Sequence, residues 1–133
     1  MKVEHIGIAV KDMQNARELY EKLLNTKVYK EEEVASEGVN TVFFKSGDTK
    51  IELLEGLTEE SAITKFIAKK GEGIHHIAFE VADIEKEIER LIKEGFQVLN
   101  KIPKKGADNK LVAFLHPKSC NGVLVELCQE IKA

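Results

Sequence analysis

The chain has 133 residues, enough for one domain and short for two, with 43% apolar and 32% charged side chains. Twenty basic against twenty-three acidic residues leave a net charge of −3, which argues against nucleic acid as main partner because phosphate neutralisation needs a basic excess. No apolar stretch reaches the length of a signal peptide or a membrane span, and Cys120 and Cys128 show no CxxC or zinc-like spacing, so a reduced, cytoplasmic protein is expected.

In chain order, His5-Ile6-Gly7-Ile8-Ala9-Val10 alternates as a strand, and Asp12 stands where its carboxylate can cap a helix. Met13, Ala16, Leu19, Tyr20, Leu23 and Leu24 then recur at three- and four-residue steps, and Asn25 tolerates the left-handed conformation that ends a helix. Extended runs over 27–33, 40–45 and 50–55 follow, the last two joined by a Ser46-Gly47-Asp48 turn. Residues 58–70 read as a linking helix with Ile63, Phe66 and Ile67 inward, released by Gly71 and Gly73.

The pattern then repeats. His76-Ile77-Ala78-Phe79-Glu80-Val81 is a second strand, Asp83 a second cap, and Ile84, Ile88, Leu91 and Ile92 a second apolar stripe ending near Gly95. Extended runs over 97–101, 111–116 and 122–129 complete the copy. The expected fold is α+β: two tandem βαβββ modules, 1–57 and 73–133, joined by a linker helix over 58–72. Neither copy can bury its own sheet well, so the two are expected to pair into one curved mixed sheet around a metal-binding cavity, with the helices outside.

Alternate residues of a strand face opposite sides. His5 therefore travels with the small residues Gly7 and Ala9, away from Ile6 and Ile8. His76, and not His75, is its counterpart, because His76 travels with Ala78 and Glu80. Each closing strand places one acid opposite its apolar residues, Glu52 in the first copy and Glu126 in the second. An acid in that position is costly to bury unless paired or bound to a cation. His5, Glu52, His76 and Glu126, matched by repeat and by parity, are the candidate ligands of a divalent metal. Imidazole with carboxylate suits Mn, Co, Fe, Ni or Zn.

Several segments carry a resemblance. His5-Ile6-Gly7-Ile8-Ala9-Val10, Gly47 through Glu55, Gly71 through Val81, His116-Pro117-Lys118-Ser119 and Gly122 through Leu127 together are similar to the methylmalonyl-CoA epimerases of the vicinal oxygen chelate superfamily, alongside glyoxalase I. The resemblance runs nearly end to end. It implies epimerisation of an acyl-CoA substrate, methylmalonyl-CoA, at C2, through a metal-stabilised enolate. It also implies that the four candidates are the ligands, that Glu126 doubles as a catalytic base, and that Co2+ or Mn2+, or else Ni2+ or Zn2+, is the metal. Some members place a second glutamate base three residues after a glycine that here is Gly38, and this chain has Thr41 there. The alternatives are a glyoxalase I-like lyase and a non-catalytic small-molecule binder. Relatives of this kind often dimerise, so a homodimer is an expectation as well; no membrane association is expected.

Other groups are ascribed supporting roles. Between residues 98 and 119 five lysines, Lys101, Lys104, Lys105, Lys110 and Lys118, face one acid, Asp108. This local positive charge suits the phosphates of coenzyme A or simply a solvated loop. His75 reads as a core histidine, His116 as support for the turn at Pro117, and Glu31-Glu32-Glu33 as a solvated edge.

Overall fold

The computed structural model describes residues 1–132, which contain eight β-strands and three α-helices. They fall into two compact units, one spanning His5–His75 and one formed by residues 76–132 together with Met1–Glu4. No helix among the described residues is long and apolar enough to cross a membrane.

The first unit runs β1 (Lys2–Ala9), α1 (Met13–Leu24), β2 (Lys30–Val34), β3 (Val39–Ser46), β4 (Thr49–Gly56) and α2 (Ala62–Lys70). Its strands lie in the order β2-β3-β4-β1, with β1 and β4 parallel and the other pairs antiparallel. Asp12 caps α1 by accepting from the Asn15 amide at 3.2 Å, and Asn25 ends it in the left-handed region at φ 53°. The helix buries Met13, Ala16, Tyr20 and Leu24 against Ile8, Val10, Val42, Phe44 and Leu53. Leu19 and Leu23, expected in the same stripe, are instead 57% and 68% exposed. At 100° per residue they sit to one side of the narrower 13–16–20–24 seam that one sheet face can cover.

The second unit runs β5 (Gly73–Glu80), α3 (Ile84–Lys93), β6 (Lys104–Lys105), β7 (Lys110–Leu115) and β8 (Val125–Glu130). Its strand order is β5-β8-β7-β6, again with one parallel pair, β5 with β8. Asp83 caps α3 through the Lys86 amide at 3.2 Å, and Gly95 turns the chain at φ 96°. Ile84, Ile88 and Leu91 pack on Val81, Ala113, Leu115 and Leu127, whereas Ile92 stays exposed. Each unit is thus a βαβββ mixed sheet with a helix on one face, the α+β class expected.

Two boundaries differ instructively. The run over 97–101 is not a strand beyond one bridge, Val98 to Leu115. The Asn100 side chain accepts from the Phe114 amide at 2.8 Å and donates to the Val112 carbonyl at 3.1 Å, taking backbone groups a strand would have used. The linker helix begins at Ala62, after Ser61 caps it, and it does not lie where α1 lies. Its Ile63, Phe66 and Ile67 cover Ala9, Val39 and Leu54 on the opposite face of the first sheet. The approach is close: a Cβ on Gly56 would stand 2.0 Å from the Thr64 hydroxyl.

Candidate metal centre

In the first unit Glu52 of β4 sits in register with Gly7 of β1 and opposite Phe43 of β3. His5, two residues before Gly7, shares that face, and its Nε2 lies 3.4 Å from Glu52 Oε1. Both side chains are buried. Small residues on β1 leave the space that larger side chains would fill, and Phe43 walls the other flank.

The second unit repeats the arrangement. Glu126 of β8 sits in register with Ala78 of β5 and opposite Phe114 of β7. His76 Nε2 lies 3.1 Å from Glu126 Oε1, both residues are buried, and the imidazole meets the Phe114 ring edge-on at 6.2 Å. Parity therefore places all four sequence-derived candidates as expected, one His–Glu pair in each unit, on the face turned away from α1 or α3.

The donor chemistry of each pair fits a divalent cation. Imidazole nitrogen and carboxylate oxygen are borderline-to-hard ligands suited to Mn, Co, Ni or Zn. The two donors stand 3.4 Å apart in the first pair and 3.1 Å apart in the second. Cys128 lies on the same face as Glu126, and its thiol is pushed well above the ordinary 9.0, first by burial and then by Glu126 and Glu4. It stays protonated and donates toward the Phe79 carbonyl at 3.5 Å. Burial also raises Cys120.

Thr41 is fully buried, and its hydroxyl donates to the Glu32 carbonyl at 2.8 Å, so it serves the backbone and not proton transfer. His116 accepts from the Lys118 amide at 3.0 Å and holds the turn at Pro117, as read from the sequence. His75 stacks edge-on against Phe66 at 4.9 Å. Of the glutamate run, Glu31 and Glu33 are solvated, while Glu32, opposite Thr41, is half-buried on the Glu52 face and paired with Lys30 at 3.7 Å.

One residue read as part of the basic loop lies elsewhere. Lys110 is buried and pairs with buried Glu4 at 3.9 Å, close to Cys128, while Lys2 pairs with Glu80 at 3.6 Å. Sequence reasoning missed Glu4 altogether, although an acid beside His5 in an otherwise apolar strand was a signal that it needed a partner.

Comparison with known proteins now has geometry to rest on. The profile of the glyoxalase/bleomycin resistance protein/dioxygenase superfamily matches residues 4–114. The ethylmalonyl-CoA/methylmalonyl-CoA epimerase of Cereibacter sphaeroides is 43% identical over 130 residues, 96% of this chain and 97% of that protein. The chain belongs to the methylmalonyl-CoA epimerase family. A mitochondrial family member from Homo sapiens is 41% identical over 129 residues, covering 96% of this chain and 73% of its own. A Streptomyces coelicolor methylmalonyl-CoA epimerase, solved with 2-nitronate-propionyl-CoA, shares the family fold at a TM-score of 0.94. It is 35% identical and covers all of this chain and 96% of its own.

Proposed function

We propose that this family member is an isomerase that interconverts the C2 epimers of methylmalonyl-CoA, working as one glyoxalase-like domain built from the two modules. The observation that carries the reading is the duplicated, buried His–Glu pair, one in each unit at equivalent register. Family membership narrows the reaction, since the epimerase relatives match along almost the whole chain.

The residues His5, Glu52, His76 and Glu126 would together hold one divalent ion, Co2+ or Mn2+. When bound, that ion supplies positive charge for the oxygen on which negative charge develops as the C2 proton leaves. Glu126 is the base that takes the proton. Its burial beside Phe114 keeps water from the carboxylate, and His76 at 3.1 Å fixes its orientation. Inversion requires reprotonation from the opposite face of the flattened carbon. Thr41, occupied with a backbone carbonyl, does not provide it. The cytoplasm, where thiols stay reduced, suits the two free cysteines.

The test is exchange of the C2 hydrogen of methylmalonyl-CoA in heavy water. Chelated protein is expected to be inactive, with exchange and epimerisation restored by Co2+ or Mn2+. Exchange that survives chelation would remove the metal from the mechanism. Turnover of a methylglyoxal–glutathione adduct in its place would establish the lyase.

A further inference from the structure

Each unit contains one parallel strand pair, β1 with β4 and β5 with β8, and each pair carries one His–Glu couple. A tight turn fixes the register of antiparallel neighbours such as β3 and β4, where Ser46 pairs with Thr49 across Gly47-Asp48. β1 and β4 have no such turn, because α1, β2 and β3 lie between them in the chain. Register still decides the site. A slip of one residue moves a strand by about 3.3 Å and reverses its faces. That step is as large as the whole His–Glu separation, 3.4 Å in the first unit and 3.1 Å in the second.

Both units hold that register with the same device. Past the last register pair, Ala9 with Leu54 or Glu80 with Cys128, the next amide donates to the partner carbonyl: Val10 to Leu54 and Val81 to Cys128, each at 2.9 Å. The following residue of the second strand then reaches the helix. The Met13 amide, first of α1, donates to the Glu55 carboxylate at 3.0 Å across 42 residues of chain. The Ile84 amide, first of α3, donates to the Gln129 side-chain oxygen at 2.8 Å across 45. Glu55 follows Glu52 by three residues as Gln129 follows Glu126, and they share the faces of Leu53 and Leu127 that pack on the helices. Met13 and Ile84 are buried, so their amides need a protein partner, and both units draw it from the carboxylate-bearing strand. The acceptors differ in charge as their helices do. α1 has no acid in its first turn and receives a carboxylate, whereas α3 carries Glu85 and Glu87 there and receives a neutral amide. What the two copies share is an oxygen acceptor at one position.

We propose that Glu55 and Gln129 are positioning residues for the candidate metal centre. Each fastens the carboxylate-bearing strand to the start of the helix that follows the histidine-bearing strand, and so holds the donor separation of its own His–Glu pair. Only three residues, 10–12 or 81–83, join each histidine strand to its helix. A helix pinned at its first amide therefore leaves the strand before it little freedom to slide. The inference rests on the reading of the two pairs as metal ligands and extends it to residues that are not ligands and act through strand register.

The experiment follows Co2+ titration by visible absorption, and amide hydrogen exchange at Val10 and Val81, in the wild-type chain and five variants. Glu55→Leu and Gln129→Leu are each expected to bind Co2+ about tenfold more weakly, the low end of losses for groups that orient ligands, with an altered absorption band. Val10 should exchange faster in Glu55→Leu, and Val81 faster in Gln129→Leu. Glu55→Gln keeps an acceptor and should restore both readings. Asp12→Ala and Asp83→Ala remove a cap from the same helices without touching β4 or β8. They should lower the thermal midpoint comparably while leaving the Co2+ band and the strand exchange as in the wild type. Wild-type Co2+ affinity and strand protection in both Leu variants would overturn the inference. Equal losses in the cap variants would also overturn it, making ordinary helix stability the cause. If the wild-type chain takes up no Co2+, the metal centre falls, and the exchange rates alone decide whether the strand lock stands or falls with it. Tight Co2+ binding without epimerisation would sink the reaction and leave the positioning role intact.

Discussion

The two units carry the same buried His–Glu pair on the same register and differ in what lies just beyond it. In the first, the residues flanking Glu52 on its face are Thr41, Leu54, Val39 and Ala9, closed over by the apolar side of α2. In the second, the equivalent positions beside Glu126 hold Val112, Cys128, Lys110 and Glu80, with Glu4 and Lys2 supplying counter-charges. The first pair therefore sits against a dry wall and the second beside a buried ionic network. A duplicated scaffold fixes where donors stand, while the surroundings decide what each donor can do. The exposed lysines Lys101, Lys104 and Lys105 also belong to the second unit alone.

The largest expected effect tests whether the two carboxylates are alike. Glu126→Gln keeps an oxygen for a cation but loses the carboxylate proposed as the base, and should lower kcat by about a thousandfold, within the range of general-base losses. Glu52→Gln keeps the same oxygen, and its activity should remain within about tenfold of wild type if its work is coordination alone. Parallel rates of C2 exchange and of epimerisation measure both. Equal losses in the two variants would make the halves functionally equivalent and erase the distinction.

Next in size is the ionic network. Lys110→Met removes the ammonium that pairs with buried Glu4 and should cost about 3 kcal/mol in urea unfolding. The double variant Glu4→Gln/Lys110→Met should recover most of that loss, because the penalty comes from an uncompensated charge. No recovery would mean that Lys110 acts mainly by packing.

The smallest effect is a dependence on alkaline pH. The Cys128 thiol is raised above its ordinary 9.0 in the folded chain, so the unfolded chain loses that proton first. Unfolding then releases protons, and stability falls as pH rises above about 9.0. Cys128→Ala should flatten that limb in thermal melts between wild type and variant at matched pH. An unchanged slope would show that the thiol is not buried as described.

Much of this site was legible in the chain because strand parity is a short-range rule: His5 and His76 are separated from His75 by one step, and one step reverses the face. Asp12, Asp83 and Asn25 were legible as caps for the same reason. What escaped depends on partners distant in sequence. Lys110 looked like one more lysine of a solvated loop until Glu4, across the whole length of the chain, explained its burial. Residues 97–101 have strand-like composition, but the Asn100 side chain captures the backbone groups that pairing would need. The seat of α2 turns on the bare Cα of Gly56, a fit that no periodicity encodes.

The pairing of Glu4 with Lys110 also sets an order of events during synthesis. An emerging amino terminus presents an acid whose buried partner has not yet been translated, and His5 onward can gather with its own unit well before that. A nascent chain stopped short of β7 should therefore keep Met1–Glu4 loose and open to proteases, and completion of β7 becomes the step that draws the first residues in.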